Sequence, residues 1–557
     1  MRVSGRAAAA GVASAAVGLG VAEIVAAPIG PRSAPLIAVG GVVVDNVPEP
    51  VKQVGIAVFG VHDKTALLIG TAILLALYAA AVGVLAARSM RWGYAGIAVF
   101  ALVGVTAAAT RHDVGWTVVL PTLVGAALAV PVLRVLLDRA SDGLTSTPVA
   151  AISAPTASRT PAAVPATAGV PGPAPATTGA GADGTRDAEV RSTGAGGDGQ
   201  AAGAGRRRFL MSVAVAAGVA AVSGLSGRLL TSRRAVTAAR AAVTLPPPAG
   251  PAPVVPPTAD LGIPGLSSYV SANSGFYRID TALYAPQVDP ATWQLRIHGM
   301  VRNPITVSFA DLLARPLVER YVTLACVSNE VGGDLIGNAR WLGVAVKDLL
   351  DEAQPLDGAD QVVSRSADGW TCGTPTAALR DGRDALLAVG MNGEPLPVEH
   401  GFPVRMVVPG LYGYVSACKW IVEMEVTRFA DFDAYWVPRG WSAQGPIKTQ
   451  SRIDTPRPGA DVRVGVVTVA GVAWAQHRGI TRVEVQVDDE PWQTATLAAT
   501  VSTDTWRQWS WRWQATRGRH TLRVRATDNA GTVQTERSAP VEPDGATGWH
   551  ERDVEVA

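Results

Sequence analysis

One cysteine of this chain stands where a thiolate would be both held and accessible. Cys326 closes the apolar, β-branched run Tyr321–Ala325, which predicts a strand, and opens a polar loop that contains glycine. The thiolate is the form of cysteine that binds metals. A cysteine after a strand is also often a small buried apolar residue, so the residue alone leaves both interpretations open.

Further motifs flank Cys326 along the chain. They are, in order, Phe276-Tyr277-Arg278, Thr323-Leu324-Ala325-Cys326-Val327-Ser328-Asn329, Met391-Asn392-Gly393-Glu394-Pro395-Leu396-Pro397, His400-Gly401-Phe402-Pro403-Val404-Arg405, Pro409-Gly410 with Gly413, and Lys419-Trp420. In this order and spacing they resemble the sulfite oxidase family of molybdopterin enzymes, over roughly residues 260–550. The resemblance implies a Mo-molybdopterin cofactor, and it implies that Cys326 is the protein ligand of the metal, because a soft thiolate suits molybdenum.

The resemblance also assigns residues to the cofactor and the substrate. His400 and Arg405 would contact the pterin or its phosphate, which a planar guanidinium binds well; a surface pair is the alternative. The loop that contains Ser416, Ala417 and Lys419 would offer backbone donors and a charge. Asp368 would accept from pterin nitrogens, or it is simply the first residue of an Asp-Gly turn. Arg278 would be catalytic and would steer an anionic or polar substrate, whereas Cys372 and Cys418 are expected to pack in the core.

The chain departs from the family at three positions around the substrate. Val331 stands where a second arginine is expected, Trp441 where a tyrosine is expected, and Glu542 where a third arginine is expected. Losing two positive charges and gaining a carboxylate should weaken a desolvated dianion site by several kcal/mol. We therefore expect sulfite to be a poor substrate or not the physiological one. Arg439 is a candidate replacement charge.

The elements that must position these residues form an α+β pattern over residues 260–450, the predicted molybdopterin-binding domain. Strands are expected at Gln294–Gly299, Tyr321–Ala325, Val404–Val408 and Ile421–Val426, and short helices at Phe309–Leu313 and Val346–Ala353. Residues 451–557 instead show alternating runs, which predict an immunoglobulin-like β-sandwich and, by the resemblance, a dimerisation domain. Its strands are expected at Val462–Val469, Ile480–Val487, Trp506–Trp513 and His520–Ala526. We expect most of its tryptophans to fill the core, the alternative being a carbohydrate-binding surface.

The first part of the chain has a different composition. Only 17% of all residues are charged, the mean hydropathy is +0.22, and residues 1–137 contain very few of the charges. Four runs are long and apolar enough to span a bilayer, namely Ala7–Ala27, Thr65–Ala87, Trp92–Thr110 and Val114–Leu133, whereas Pro35–Val44 is too short. His62 and His112 lie near span ends, so we expect surface histidines rather than haem ligands.

The middle of the chain links these two parts. Residues 138–205 are rich in Ala, Gly, Pro, Thr and Ser, which predicts a disordered linker. Residues 206–230 begin with Arg206-Arg207-Arg208-Phe209-Leu210 and continue with the uncharged run Met211–Gly227. This pattern is typical of a twin-arginine export signal, of a fifth membrane helix, or of both. Residues 231–259 contain a proline-rich stretch and are expected to form an extended stalk.

We therefore expect an α-helical membrane bundle of about five spans that carries an extracytoplasmic oxidoreductase in the cell membrane. The expected reaction is two-electron oxygen-atom transfer on a small oxyanion or sulfoxide-type molecule. No haem or flavin module is recognised in the sequence, so we expect an external electron carrier, a cytochrome or the quinone pool, and a homodimer. Sulfite dehydrogenase activity and a non-catalytic binding module are the alternatives. The net charge of +2 argues against a nucleic-acid partner, and three cysteines exclude a disulfide scaffold.

Overall fold

The computed structural model describes residues 3–30, 33–47, 58, 63–110, 115–141, 197–233, 236–282 and 284–557. Its α-helices are α1 Val3–Ile29, α2 Pro35–Asn46, α3 Asp63–Arg88, α4 Met90–Ala109, α5 Leu120–Ser141, α6 Gly197–Arg233, α7 Thr237–Ala242, α8 Phe309–Leu313, α9 Val346–Ala353 and α10 Gly413–Ser416. Its strands are β1 Gln294–Gly299, β2 Ile305–Ser308, β3 Val318–Ala325, β4 Ile336–Ala345, β5 Gln361–Ser366, β6 Thr371–Pro375, β7 Leu386–Met391, β8 Glu394–Pro395, β9 Arg405–Val407, β10 Ile421–Thr427, β11 Gln450–Thr455, β12 Gly465–Trp474, β13 Ile480–Val487, β14 Gln493–Thr494, β15 Thr496–Leu497, β16 Arg507–Ala515, β17 Gly518–Asp528 and β18 His550–Val556.

Five helices, α1, α3, α4, α5 and α6, contain stretches long and apolar enough to cross a membrane, judged by length and composition. These stretches overlap the five predicted spans, and α2, with 12 residues, is as short as expected. α1 packs against α3, α5 and α6. Gly11 and Gly83 lie where α1 crosses α3, and a side chain on either would collide with the backbone of the other helix. Such close crossings at small residues are common between membrane helices.

The predicted limits of the linker, 138 and 205, are wrong at both ends. α5 continues to Ser141, because Ala140 is buried and its carbonyl oxygen accepts a hydrogen bond from Arg6 in α1 (3.4 Å). α6 begins at Gly197, inside the predicted linker. Residues 142–196 lie outside the described residues, as do His62 and His112.

The predicted stalk is also wrong from residue 236 onward, because this segment lies on the α+β domain that follows it. The Ala249 N–H donates to the Leu317 oxygen and the Glu319 N–H donates to the Gly250 oxygen, both at 2.8 Å, so the segment extends the free edge of β3. Ala259 is fully buried. A proline-rich chain is already extended, and an edge position needs only some of its N–H groups, so such a chain can add to a sheet edge.

Two five-stranded sheets form the α+β domain that precedes residue 450. The first has the order β2-β1-β10-β5-β6, with β1 parallel to β10, and the second has the order β3-β4-β7-β8 with β9 on β7. The predicted strand Gln294–Gly299 and both predicted short helices have the observed bounds. α8 begins at Phe309 because Ser308 and Asp311 form a reciprocal capping box.

Residues 450–557 form two four-stranded sheets with the orders β11-β12-β16-β15 and β14-β13-β17-β18. They enclose a core that contains Trp509 and Trp513, so the expected β-sandwich is confirmed. Trp474 and Trp506 are also buried, in the cluster shared with the α+β domain. The predicted strand at Val462–Val469 begins and ends too early, because β12 continues to Trp474.

β3, the strand that leads to Cys326, is held by the sandwich along its outer edge. The Thr323 N–H donates to the Asp504 oxygen (2.9 Å), and the Thr323 oxygen accepts from Gln476 (2.9 Å). The Trp506 backbone N–H donates to the Thr323 hydroxyl (2.8 Å), while its indole donates to the Tyr269 oxygen (2.8 Å). The two domains therefore share hydrogen bonds at the strand that positions the site.

Candidate molybdopterin site

Cys326 lies at the start of the loop between β3 and β4, with 8% of its surface exposed. Its N–H donates to the Leu335 oxygen (2.9 Å) across the base of the loop, and Asn329 braces the interior by accepting from the Leu335 N–H (2.8 Å). Burial raises the pKa of the thiol, although hydrogen bonds from Ser328 and the charge of Lys419 oppose this shift. The thiol is therefore held in one place and would lose its proton on binding a metal.

Arg405 is a buried cation at the start of β9. Its guanidinium donates to the His400 oxygen (3.2 Å) and lies over the Trp341 ring, 5.0 Å from the centroid. Among the described residues no carboxylate pairs with it, and burial lowers its pKa to about 10. A buried charge of this kind is costly unless an anion compensates for it.

Lys419 and Arg278 share one carboxylate. The Lys419 ammonium donates to Asp280 (2.6 Å), and the Arg278 guanidinium donates to the same oxygen (2.9 Å). Burial lowers the pKa of Lys419 to about 8, with Asp280 opposing and Arg405 adding to the shift. Arg278 is the more exposed of the two cations, with 38% of its side chain accessible, against 10% for Lys419.

His400 is a neutral imidazole in this site. Burial and the charge of Arg405 lower its pKa to about 4, so it carries no charge at neutral pH. Its Nε2 lies 3.1 Å from the Asn273 oxygen and therefore carries the proton, which leaves Nδ1 as an acceptor. The ring packs edge-on against Phe276 (5.5 Å).

Two site residues had no assigned role at the level of the sequence. Tyr277 stacks on Phe276 (5.2 Å) and lies near both Cys326 and Arg405; burial and the neighbouring thiol raise the pKa of its hydroxyl. Asp280 is the shared counterion of Lys419 and Arg278. The Phe-Tyr-Arg motif indicated Tyr277, whereas no sequence signal indicated that Asp280 would face Lys419, 139 residues later.

Three of the residues predicted to contact the cofactor, Ser416, Ala417 and Asp368, lie beside this pocket. Each of them already makes at least one hydrogen bond within the protein. The Ser416 hydroxyl donates to the Leu411 and Tyr412 oxygens (3.1 and 2.9 Å), and the Ala417 N–H donates to the Gly413 oxygen (2.9 Å). Asp368 accepts from the Trp370 N–H (3.2 Å) in the turn between β5 and β6. The Ala367 N–H donates to the Trp420 oxygen (2.7 Å), which places this turn next to Lys419.

The pocket is chemically suited to an anionic cofactor with a soft metal. Arg278 and Lys419 share the carboxylate of Asp280, and Arg405 has no carboxylate partner among the described residues, so this cluster has an excess of positive charge that a phosphate would balance. Within the described part of the chain no group of three or more His, Cys, Asp or Glu side chains could hold a metal ion. A metal beside Cys326 therefore needs ligands from its own cofactor, as the dithiolene of a molybdopterin supplies.

The positions that depart from the family pattern lie on the loop beside Cys326 and at the domain junction. Val331 is half-buried, and Trp441 is buried with no partner for its indole N–H among the described residues. Glu542 is exposed, and the Ser442 N–H donates to the Pro543 oxygen (2.9 Å), which brings this segment next to Trp441. Arg439 stacks on Tyr435 (3.8 Å) and donates to its oxygen, so it is engaged there.

The same loop contacts the sandwich through a glycine. Gly332 has a φ of +78° and lies against the imidazole of His550, where a side chain at position 332 would collide with the ring. His550 is held by the Ile453 N–H, which donates to its Nδ1 (2.8 Å). The contact ties the loop that follows Cys326 to β18.

Comparisons with known proteins agree with this architecture. A family model described as "Oxidoreductase molybdopterin binding domain" matches residues 282–436, and one described as "Bacterial Ig domain" matches residues 450–524. The sulfite oxidase of Gallus gallus is 30% identical over 323 residues, which cover 48% of this chain and 69% of that protein. The "Uncharacterized oxidoreductase YuiH" of Bacillus subtilis is 34% identical over 157 residues, covering 28% and 76%. Mitochondrial sulfite oxidase of Mus musculus is 30% identical over 341 residues, covering 52% of this chain and 62% of the mouse protein.

The fold and the pocket thus define a molybdopterin-binding oxidoreductase domain joined to an immunoglobulin-like domain. The chain belongs to the sulfite oxidase family and is a molybdopterin-dependent oxidoreductase with a Mo-molybdopterin cofactor. The family assignment argues against a non-catalytic binding module. The chain spans less than two thirds of the length of the mouse relative, 62%.

Proposed function

We propose that this chain is a membrane-anchored, extracytoplasmic oxidoreductase that transfers one oxygen atom to or from a small polar substrate. The pocket around Cys326 carries this proposal, because its buried cation Arg405 has no carboxylate partner in the part of the chain that the structure describes. Bound molybdenum supplies the chemistry by changing oxidation state by two electrons. Cys326 anchors the metal, Arg405, Lys419 and neutral His400 hold the cofactor, and the more exposed Arg278 steers the substrate.

The electron balance requires a partner. A substrate that gains an oxygen atom from water releases two electrons and two protons, and a substrate that loses one consumes them. We propose an external carrier for these electrons, either a cytochrome or the quinone pool. A homodimer through residues 451–557 stays a prediction that the mass of the detergent-solubilised protein checks.

Metal analysis tests the cofactor site directly. The full chain, produced with the cofactor pathway present, should contain about one molybdenum per chain, and Cys326→Ala should contain almost none. Cys372→Ala is the matched control, because this second buried thiol lies in β6 and should leave the molybdenum content unchanged. Absence of molybdenum from the wild-type protein would refute the proposal.

Sulfite is the competing substrate, because the mouse and chicken relatives are sulfite oxidases. Three positions argue against it: Val331 and Glu542 each stand where the family has an arginine, so two positive charges are lost, and Trp441 replaces a tyrosine. We expect kcat/KM for sulfite to fall well below the roughly 10⁶ M⁻¹s⁻¹ of an efficient enzyme. A value at or above that level would make sulfite dehydrogenase the better description.

The export route rests on the motif at the start of the apolar part of α6. Replacing Arg206 and Arg207 together by lysine should retain the catalytic domain inside the cell, where an external protease cannot cut it. Arg208→Lys is the control, because the third position of the motif accepts any residue. Equal protease access in both variants would contradict twin-arginine export.

A further inference from the structure

The catalytic domain begins almost directly at the end of the last candidate membrane helix. The apolar stretch of α6 ends at Ser226 and the helix itself at Arg233, which adds about 10 Å at 1.5 Å per residue. Only Arg234 and Ala235 separate this helix from Val236, which is 5% exposed and belongs to the domain core. Three extended residues reach at most about 11 Å.

This connection is short compared with the domain that it holds. Val236 can lie no more than about 21 Å from the end of the apolar stretch, and a headgroup layer occupies about 5–7 Å of that distance. A globular unit of some 320 residues has a radius of gyration of about 20 Å. The surface around Val236 therefore has to face the bilayer, since any other orientation would require a longer connection.

That surface contains part of the site. The Val236 N–H donates to Gln287 (3.3 Å), and Arg240 in α7 donates to the Leu396 oxygen (2.7 Å) and pairs with Glu394 (3.0 Å). Glu394 also accepts a hydrogen bond from the Asn273 side-chain amide (2.5 Å), and the Asn273 backbone oxygen accepts one from His400 Nε2 (3.1 Å). We call residues 236–242, 273–282, 284–287 and 394–399 the tether face.

The tether face carries groups suited to a membrane surface. Ile279 and Tyr284 are large apolar side chains with 49% and 45% of their surface exposed, and both follow the exposed Arg278 within six residues. Tyrosine and arginine are both favoured where lipid headgroups meet water.

We propose that the tether face rests on the lipid headgroup surface, so that Arg278 and the adjoining side of the cofactor pocket look toward the membrane. This inference rests on the membrane anchoring proposed above. Its consequence is that a substrate or carrier that uses this side enters between the domain and the lipid surface, where molecules associated with the membrane have the advantage over large soluble ones.

The experiment uses the full chain in phosphatidylcholine nanodiscs that contain a lipid with a nitroxide on its headgroup. A fluorophore on Tyr284→Cys reports on the tether face, and one on Arg517→Cys is the control. Arg517 is an exposed residue in the turn after β16, about 30 Å along that strand from Trp506, which contacts the catalytic domain. We expect at least three-fold stronger quenching at position 284.

A second variant separates the tether from other causes. Inserting 30 Gly/Ser residues between Arg234 and Ala235 lengthens the connection by about 30 Å, so quenching at position 284 should fall at least two-fold. Equal quenching at positions 284 and 517, or no effect of the insertion, would overturn the proposal. Retention of the chain in the nanodiscs and its molybdenum content are measured on the same samples, so loss of anchoring or of the cofactor is recognised separately.

Discussion

Replacing Arg405 by methionine should remove most of the molybdenum while leaving the cofactor-free protein at least as stable as the wild type. The opposite signs follow from the surroundings of the guanidinium, which is buried without a carboxylate in the described structure. A purely structural arginine would instead stabilise both forms, so the two measurements together identify its role.

The magnitude can be worked out from the pKa. Burial lowers the pKa of Arg405 from 12.5 to about 10, and at 1.36 kcal/mol per pKa unit the charged form costs about 3 kcal/mol. Because the folded pKa lies below the unfolded one, this cost is fully present at every pH below about 10 and disappears only above the unfolded value. The substitution also removes the hydrogen bond to the His400 oxygen and the contact with Trp341, worth about 1 kcal/mol each. The cofactor-free variant should therefore be about 1 kcal/mol more stable.

The loaded protein should respond in the other direction. A charge-assisted hydrogen bond to a phosphate is worth about 1.5–3 kcal/mol, so its loss weakens cofactor binding by roughly 10- to 100-fold. Urea denaturation of protein made without the cofactor pathway, together with molybdenum analysis of protein made with it, measures both effects. Arg340→Met is the control, because Arg340 pairs with Glu319 at the partly exposed side of β4 and should change neither. A cofactor-free Arg405→Met that loses 3 kcal/mol and keeps its molybdenum would refute the reasoning.

Three further predictions concern the loop beside Cys326 and the domain junction. Gly332→Ala should cost at least about 2 kcal/mol of unfolding free energy, because it adds a collision with His550 to the strain of positive φ. The control Gly531→Ala has a φ of +80° but open surroundings, so it should cost about 1 kcal/mol in the same urea titration. Equal losses in the two variants would exclude the collision. Val331→Arg should raise kcat/KM for sulfite about ten-fold or more by restoring one charge-assisted contact, and Val533→Arg, at an exposed position of the sandwich, should leave it unchanged, as steady-state assays will measure. Burial and the neighbouring Arg552 and Arg452 lower the pKa of His550 to about 4, below its unfolded value of 6.5. Between these two pH values the unfolded chain binds a proton that the folded chain does not, so the melting temperature should fall as pH drops from 6.5 toward 4. In His550→Gln this fall should be shallower, and an unchanged slope would show that His550 does not contribute.

Much of the catalytic domain could be predicted because its signals are local. The strand Gln294–Gly299 and the short helix Phe309–Leu313 depend only on neighbouring residues, and both predictions have the observed bounds. The segment from residue 236 could not be predicted, because proline-rich sequence specifies an extended backbone but not the sheet edge to which it binds. Likewise, the motifs located Arg405 and Lys419, whereas the role of Asp280 depends on a contact between distant parts of the chain. Burial of Trp474 and Trp506 against the catalytic domain is of the same non-local kind.

The hydrogen bonds along the outer edge of β3 also bear on how this architecture can evolve. Immunoglobulin-like domains can often be exchanged between proteins, because their edges and ends make few specific contacts with the preceding domain. Here the strand that positions Cys326 is hydrogen-bonded to the sandwich, because Thr323 in β3 bonds to Asp504, Trp506 and Gln476. A transplanted sandwich would have to reproduce these contacts to keep Cys326 in place. Selection on the pocket therefore extends into the last hundred residues, and the two domains should be inherited as a single unit.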